Sequence, residues 1–316
     1  MTILVLAVAG ASIAITTNSS FSRTTSPGLL AHRHMHHITC EVPERIAYIH
    51  IPKVGGSSML VSLRSVRAPA CNGGTGGMGM CNCLAENSSC TLAARIAVME
   101  VGYNDFLTTV KWDPPATPGR RQHFLQPRPG CLMWLAMVRE PRSWFYSAVG
   151  FTCIKGPQNS VCHSNATMDT LLDANWFQRP QHPPPSQTYG RGTAKYFHSA
   201  NFQARMLGDI VLEDSWAICT LQNSKQMFSL VSLILKQPVP EKHENVHHWP
   251  GIDEFKTSIP WESVQPYYLL DEALYASVAK FGCLMHAESP DLRRLSENSF
   301  HAVDPFARRG GARTSS

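Results

Sequence analysis

Hydrophobic residues in this chain fall in short continuous runs separated by polar, glycine-rich or proline-rich stretches. Residues 46–51 (IAYIHI), 94–101 (ARIAVMEV), 131–138 (CLMWLAMV) and 216–221 are apolar, brief and rich in β-branched or aromatic residues, and they predict buried strands. Segments 56–67, 143–151, 168–177, 201–212, 225–235 and 266–281 predict helices; the last carries Tyr, Leu and Val on one face. Strands joined by helical or loop crossovers imply an α/β domain with a central parallel sheet flanked by helices, over residues 45–286. Segments 68–90, 111–130, 178–193 and 241–260 predict loops.

The ends differ from this middle. Residues 3–15 (ILVLAVAGASIAI) are apolar and uncharged, yet shorter than the roughly 20 residues of a comfortable membrane span. Residues 1–17 are expected to be a signal peptide or a short signal anchor, which would allow membrane association. Residues 18–44 predict a polar stem. Its histidines 32, 34, 36 and 37 lack the cysteine or carboxylate spacing of a metal site, and no metal is expected. Residues 287–316 predict a disordered basic tail. No internal repeat is present.

Composition narrows the setting. The 316 residues carry a net charge of +5, enough to favour anionic partners. No basic run or nucleic-acid motif stands out, so nucleic acid is not an expected partner. Of ten cysteines, Cys71, Cys81, Cys83 and Cys90 form one local group and Cys153 and Cys162 another. Asn18, Asn87 and Asn165 head glycosylation sequons. Together these favour an oxidising, secretory compartment with disulfides of undetermined pairing. Residues 74–79 (GTGGMG) match a dinucleotide fingerprint literally, but no predicted strand precedes them, so that reading is rejected.

The candidate chemistry begins where the first strand ends. After Ile51 the chain reads Pro52-Lys53-Val54-Gly55-Gly56-Ser57-Ser58 and enters a helix. A strand–glycine turn–helix points backbone N–H groups and a helix N-terminus at one spot, which suits a phosphate-like group. Lys53 precedes both glycines, whereas the nucleoside-triphosphatase loop places its Lys after the second. An ordinary strand–turn–helix with a surface Lys would also fit this pattern.

A second constellation follows the 131–138 strand: Arg139-Glu140-Pro141-Arg142-Ser143-Trp144, with Ser147 eight residues after Arg139. An Arg at a strand's carboxyl end and a Ser on the next helix can grip a phosphate by charge-assisted hydrogen bonds. Alone, this too could be a solvated Arg before a Pro-started helix.

Read jointly, the order His-Ile-Pro-Lys-x-Gly-Gly-Ser-Ser and then Arg-Glu-Pro-x-x-x-x-x-Ser resembles the two phosphate-binding motifs of Golgi carbohydrate sulfotransferases, closest to the heparan sulfate 2-O- and 6-O-sulfotransferase group. Residues 201–207 (NFQARML) and 271–275 (DEALY) resemble supporting helices of that group, and Glu244-Asn245-Val246 its preceding Asn-Val segment. The resemblance spans roughly residues 45–283 and implies a single P-loop-like domain. It further implies 3′-phosphoadenosine-5′-phosphosulfate as donor, a glycan or proteoglycan acceptor, and residence in the secretory pathway, in the Golgi lumen. Lys53 would stabilise the leaving group; Gly55, Gly56, Ser57 and Ser58 would hold the 5′-phosphate; Arg139 and Ser147 would hold the 3′-phosphate.

Two departures matter. The family often has a second Arg where Trp144 stands, for which Arg142 is the substitute offered. A His in the group's second-strand region is replaced by Glu100, the general base expected here, with His123 next. Arg120, Arg121, Arg128, Arg191 and Lys195 could meet an anionic acceptor or be solvated surface charges. A tyrosylprotein sulfotransferase and a catalytically inactive glycan- or nucleotide-binding protein on the same fold are the alternative functions.

Overall fold

The computed structural model describes residues 4–9, 12–17, 43–65, 70–72, 81–82, 95–99, 132–155, 157–163, 165–177, 200–213, 215–241, 249–286 and 301–302. In chain order the strands are β1 (Leu4–Ala9), β2 (Ser12–Thr17), β3 (Arg45–Ile49), β4 (Ala70–Asn72), β5 (Cys81–Asn82), β6 (Ile96–Met99), β7 (Leu132–Val138), β8 (Trp216–Thr220), β9 (Cys283–His286) and β10 (His301–Ala302). The α-helices are α1 (Gly56–Ser65), α2 (Pro141–Lys155), α3 (Met168–Asp173), α4 (Phe202–Leu207), α5 (Ser224–Leu235), α6 (Ile252–Ser258), α7 (Trp261–Val264) and α8 (Leu269–Ala279).

Eight strands form one sheet in the order β10-β9-β8-β7-β3-β6-β4-β5. The chain is therefore α/β, with a mostly parallel sheet. β3 and β7 lie at its centre. Strands covered on both faces must be apolar at successive positions, not alternate ones. Accordingly, Ile46–Ile49 and Met133–Val138 are buried without a break. β3 pairs in parallel with β7 on one side and β6 on the other, and β7 pairs in parallel with β8.

The expected parallel sheet needs one correction, since β9 runs antiparallel to β8. α8 brings the chain back to the end of β8: Gly282 turns with φ of 76°, and its carbonyl accepts from the Thr220 N–H at 2.9 Å. From there the next strand can only run backwards along β8. Cys219 and Cys283 face each other in this register and are joined as a disulfide. Cys153 and Cys162, one of the two local groups, are also joined as a disulfide. The side chains of Cys71, Cys81, Cys83 and Cys90 lie outside the described residues.

Several expected elements are shorter than their apolar runs, and three differ in kind. α6 falls where the sequence suggests a polar loop over residues 241–260, and the brief α7 follows Pro260; Phe255 is the one α6 residue in the core. β4 and β5 are two short strands within the expected 68–90 loop. Residues 3–15, expected as a signal or anchor segment, include β1 and most of β2, paired antiparallel from Leu4↔Thr17 to Ala9↔Ser12. Among the described residues, no helix is long and apolar enough to cross a membrane. The stem, apart from residues 43–44, and the basic tail, apart from β10, lie outside the described residues.

Beside the sheet, Phe145 of α2 anchors an aromatic cluster. Its ring lies within 6.3 Å, centroid to centroid, of Tyr146, Trp176, Phe255, Trp261 and Tyr268. The cluster fixes α2, whose first turns carry Arg142, Ser143 and Ser147.

Candidate functional site

The site is built where β3 and β7 end side by side. Beyond β3 the chain turns at once through Pro52–Gly55 and starts α1, and the Met59 N–H donates to the Gly55 carbonyl at 3.1 Å. Gly55 has φ of 81°, a conformation costly for any residue with a Cβ. A Cβ there would also lie 2.5 Å from Leu221 Cδ1. Lys53 takes φ of 67° without that freedom. Left-handed backbone at a non-glycine persists only where its surroundings hold it. Two donors from the other motif do so. Trp144 Nε1 donates to the Pro52 carbonyl at 2.8 Å, and Arg139 Nη1 donates to the Lys53 carbonyl at 3.2 Å.

This explains Trp144, where the resembled family often carries an arginine. Its indole is fully buried, stacked on Phe202 at 5.0 Å, and it clamps the turn. Arg142 is exposed on α2 and lines the cavity beside Arg139.

Arg139 follows β7 directly. Its peptide is gripped on both sides by one amide: the Arg139 N–H donates to Gln203 Oε1, and Gln203 Nε2 donates to the Arg139 carbonyl, each at 2.8 Å. Its guanidinium is half-buried, and desolvation lowers its pKa, opposed by the Glu140 carboxylate. The Lys53 ammonium sits 4.6 Å from the centre of the Phe151 ring, a cation–π distance. Desolvation lowers the Lys53 pKa first, and the nearby Arg139 charge lowers it further. Two part-buried cations that repel each other gain most from an anion placed between them. The adjacent His50 is held near pKa 4 by burial, so it adds no positive charge at neutral pH.

A cavity of about 560 Å³ opens beside Arg139, lined also by Glu140, Arg142, Ser143, Tyr146 and Ser147 of the second motif. Ser143 Oγ donates to a Glu140 carboxylate oxygen. The volume is within the range of small-molecule sites, roughly 300–1,000 Å³. The far wall, absent from the sequence reading, comprises Gly150, Trp249, Ile252 and Lys256. Lys256 pairs with Asp253 at 3.0 Å and lies 5.9 Å from the centre of the Tyr146 ring. Trp249 and Lys256 sit in the segment expected to be a loop, and no local motif marks them. Only the packing of α6 and the residues just before it against α2 brings them here.

The structure thus brings Arg139 and Ser147 to one cavity and Lys53 to Arg139. Gly55 and Ser58 are not among the described residues that line that cavity; they lie in the turn and the first turn of α1, where Ser58 is half-buried. The side chain of Ser57 lies outside the described residues. So do Glu100, His123, Arg120, Arg121, Arg128, Arg191 and Lys195. β6 ends at Met99, level with Ile49 of β3, one residue short of Glu100.

Comparisons with protein-family models, curated proteins and solved structures returned no match.

Proposed function

We propose that this protein is a P-loop-like sulfotransferase that moves the sulfuryl group of 3′-phosphoadenosine-5′-phosphosulfate to a hydroxyl of a carbohydrate acceptor. The observation that carries this reading is the hydrogen bond from Arg139 Nη1 to the Lys53 carbonyl. It joins two motifs 86 residues apart in sequence into one cationic site at the ends of neighbouring parallel strands. Open α/β sheets bind ligands at that edge.

The residues fit a doubly phosphorylated nucleotide. Arg139 and Ser147 share a cavity of suitable volume, and Arg139, Arg142 and Lys256 outnumber Glu140 on its walls. The donor supplies an activated sulfuryl group. Arg139 and Ser147 bind and orient the 3′-phosphate by charge-assisted hydrogen bonds. The turn from Gly55 to Ser58 offers backbone N–H groups to the 5′-phosphate. Lys53 stabilises negative charge on the departing oxygen, and Phe151 holds its ammonium when no anion is near. Glu100 is the general base in this reading. The two disulfides suit an oxidising compartment, and a Golgi lumenal setting with a glycan or proteoglycan acceptor belongs to the same proposal.

Calorimetry of the purified chain with 3′-phosphoadenosine-5′-phosphate tests the reading directly. Binding that is markedly tighter than to adenosine 5′-phosphate supports it, and absence of binding overturns it. With the sulfonate donor and a panel of glycans and tyrosine peptides, sulfated glycan is the expected product; sulfated peptide would move the acceptor to protein. Nucleotide binding without product would leave a binding protein.

A further inference from the structure

We infer that Gln203 is a positioning residue for the anion site, and that it sets Arg139 through a pair of helix ends that cap each other. The inference rests on the sulfotransferase reading for its ligand, though not for its geometry. Gln203 is about 1% exposed and gives its side-chain oxygen and one N–H donor to the Arg139 backbone. A buried amide has one acceptor and two donors to satisfy, so an isolated Gln in a core is costly. Here the cost is offset by fixing the one peptide that leaves β7 for the site.

Gln203 is itself held. It lies at the second position of α4, where N–H groups lack partners within the helix. Asp271 supplies them from another helix: its carboxylate accepts from the Gln203 N–H at 3.2 Å and the Ala204 N–H at 2.8 Å. In return, Asn201 Oδ1 accepts from the Leu270 N–H at 2.8 Å and the Asp271 N–H at 3.3 Å, in the first turn of α8. Neither helix is capped by the side chain of its own N-cap residue. Asn201 takes a left-handed φ of 50° to reach across. The result is a closed path: α8 fixes α4, α4 fixes Gln203, Gln203 fixes the Arg139 peptide, and Arg139 Nη1 reaches the Lys53 turn. Residues 201–207 and 271–275 therefore look outward to the site through one side chain, although neither stretch lines the cavity.

Two substitutions separate positioning from bulk stability. Gln203→Met keeps the volume and removes both hydrogen bonds. Gln203→Glu keeps the acceptor for the Arg139 N–H; when protonated it also regains a donor for the Arg139 carbonyl. Two readouts are needed. The first is calorimetry with 3′-phosphoadenosine-5′-phosphate and adenosine 5′-phosphate. Gln203→Met is expected to weaken the former about tenfold, the scale of one or two net hydrogen bonds, and the latter by less than about twofold. Gln203→Glu is expected to approach wild-type affinity as pH falls, against wild type measured at each pH because Asp271 also titrates. Equal loss for both nucleotides, or a Glu variant with no pH-dependent recovery, overturns the inference.

The second readout needs no nucleotide. The Arg139 side-chain Nε–H resonance, assigned by its loss in Arg139→Lys, is expected to be dispersed in wild type and to collapse toward the free-arginine position in Gln203→Met. An unchanged resonance in a folded Gln203→Met protein overturns the inference. If wild type binds no 3′-phosphorylated nucleotide, the functional proposal falls, and this resonance alone decides whether Gln203 positions Arg139.

Discussion

At the residue scale, the site is a matter of backbone conformation as much as charge. Gly55 is held at φ of 81° with Leu221 against it. Gly55→Ala is expected to cost about 1–2 kcal/mol in urea unfolding, from the left-handed strain of an L-residue. Arg139→Lys keeps the charge but replaces a planar fork that reaches the Lys53 carbonyl. It is expected to weaken 3′-phosphorylated nucleotide while sparing adenosine 5′-phosphate; an equal effect on both would place the 3′-phosphate elsewhere. Lys53→Ala is expected to lower turnover by orders of magnitude and nucleotide affinity by much less, measured as kcat against Kd. Lys53, Arg139 and Ser147 were legible because their spacing follows two strand ends. Trp249 and Lys256 were not, because they enter from α6 and the residues before it, far along the chain from both motifs.

At the element scale, α4 and α8 exchange caps through Asn201 and Asp271. The Asp271 carboxyl is completely buried, and desolvation pushes its pKa up to about 7, against the backbone hydrogen bonds that favour the ionised form. The sign of the consequence follows from proton uptake. Between the unfolded value of 3.8 and about 7 the folded protein holds a proton that the unfolded chain releases. This group's contribution is therefore fully present below about 3.8 and is lost as pH rises through about 7. Asp271→Asn removes the titration while retaining one acceptor. A plot of Tm against pH is expected to fall more steeply across this window in wild type than in Asp271→Asn; parallel profiles would show that the carboxyl is ionised throughout. The sequence marks both stretches as helical but says nothing of the exchange, since a cap is ordinarily sought next to its own helix.

At the scale of the whole molecule, the disulfide Cys219–Cys283 ties the antiparallel β9 to β8 across 64 residues. That span contains α5, α6, α7 and α8, including the Lys256 wall of the cavity. Closing a loop of this length restricts the unfolded chain by about 4 kcal/mol in the entropic account. Replacing both cysteines by serine is expected to lower unfolding free energy by about 2–4 kcal/mol. The same change at Cys153 and Cys162, only nine residues apart, is expected to cost less. Chemical denaturation of the two double variants checks the order.

The sequence by itself determined the α/β class, the positions of β3, β6, β7 and β8, the short loop between Cys153 and Cys162, and the two motifs that follow β3 and β7. These rest on contiguous residues: apolar runs, a glycine turn, a short loop between cysteines. Tertiary structure alone decided the direction of β9, the Cys219–Cys283 pairing, the use of Trp144 as a clamp on the Lys53 turn, and the far wall of the cavity. It also decided that Gln203 holds the Arg139 peptide. Each of these depends on groups many residues apart, whose meeting is set by how helices pack and not by any local preference. The turn at Lys53 shows the division: its residues prescribe a bend, but two donors from beyond β7 hold it in shape.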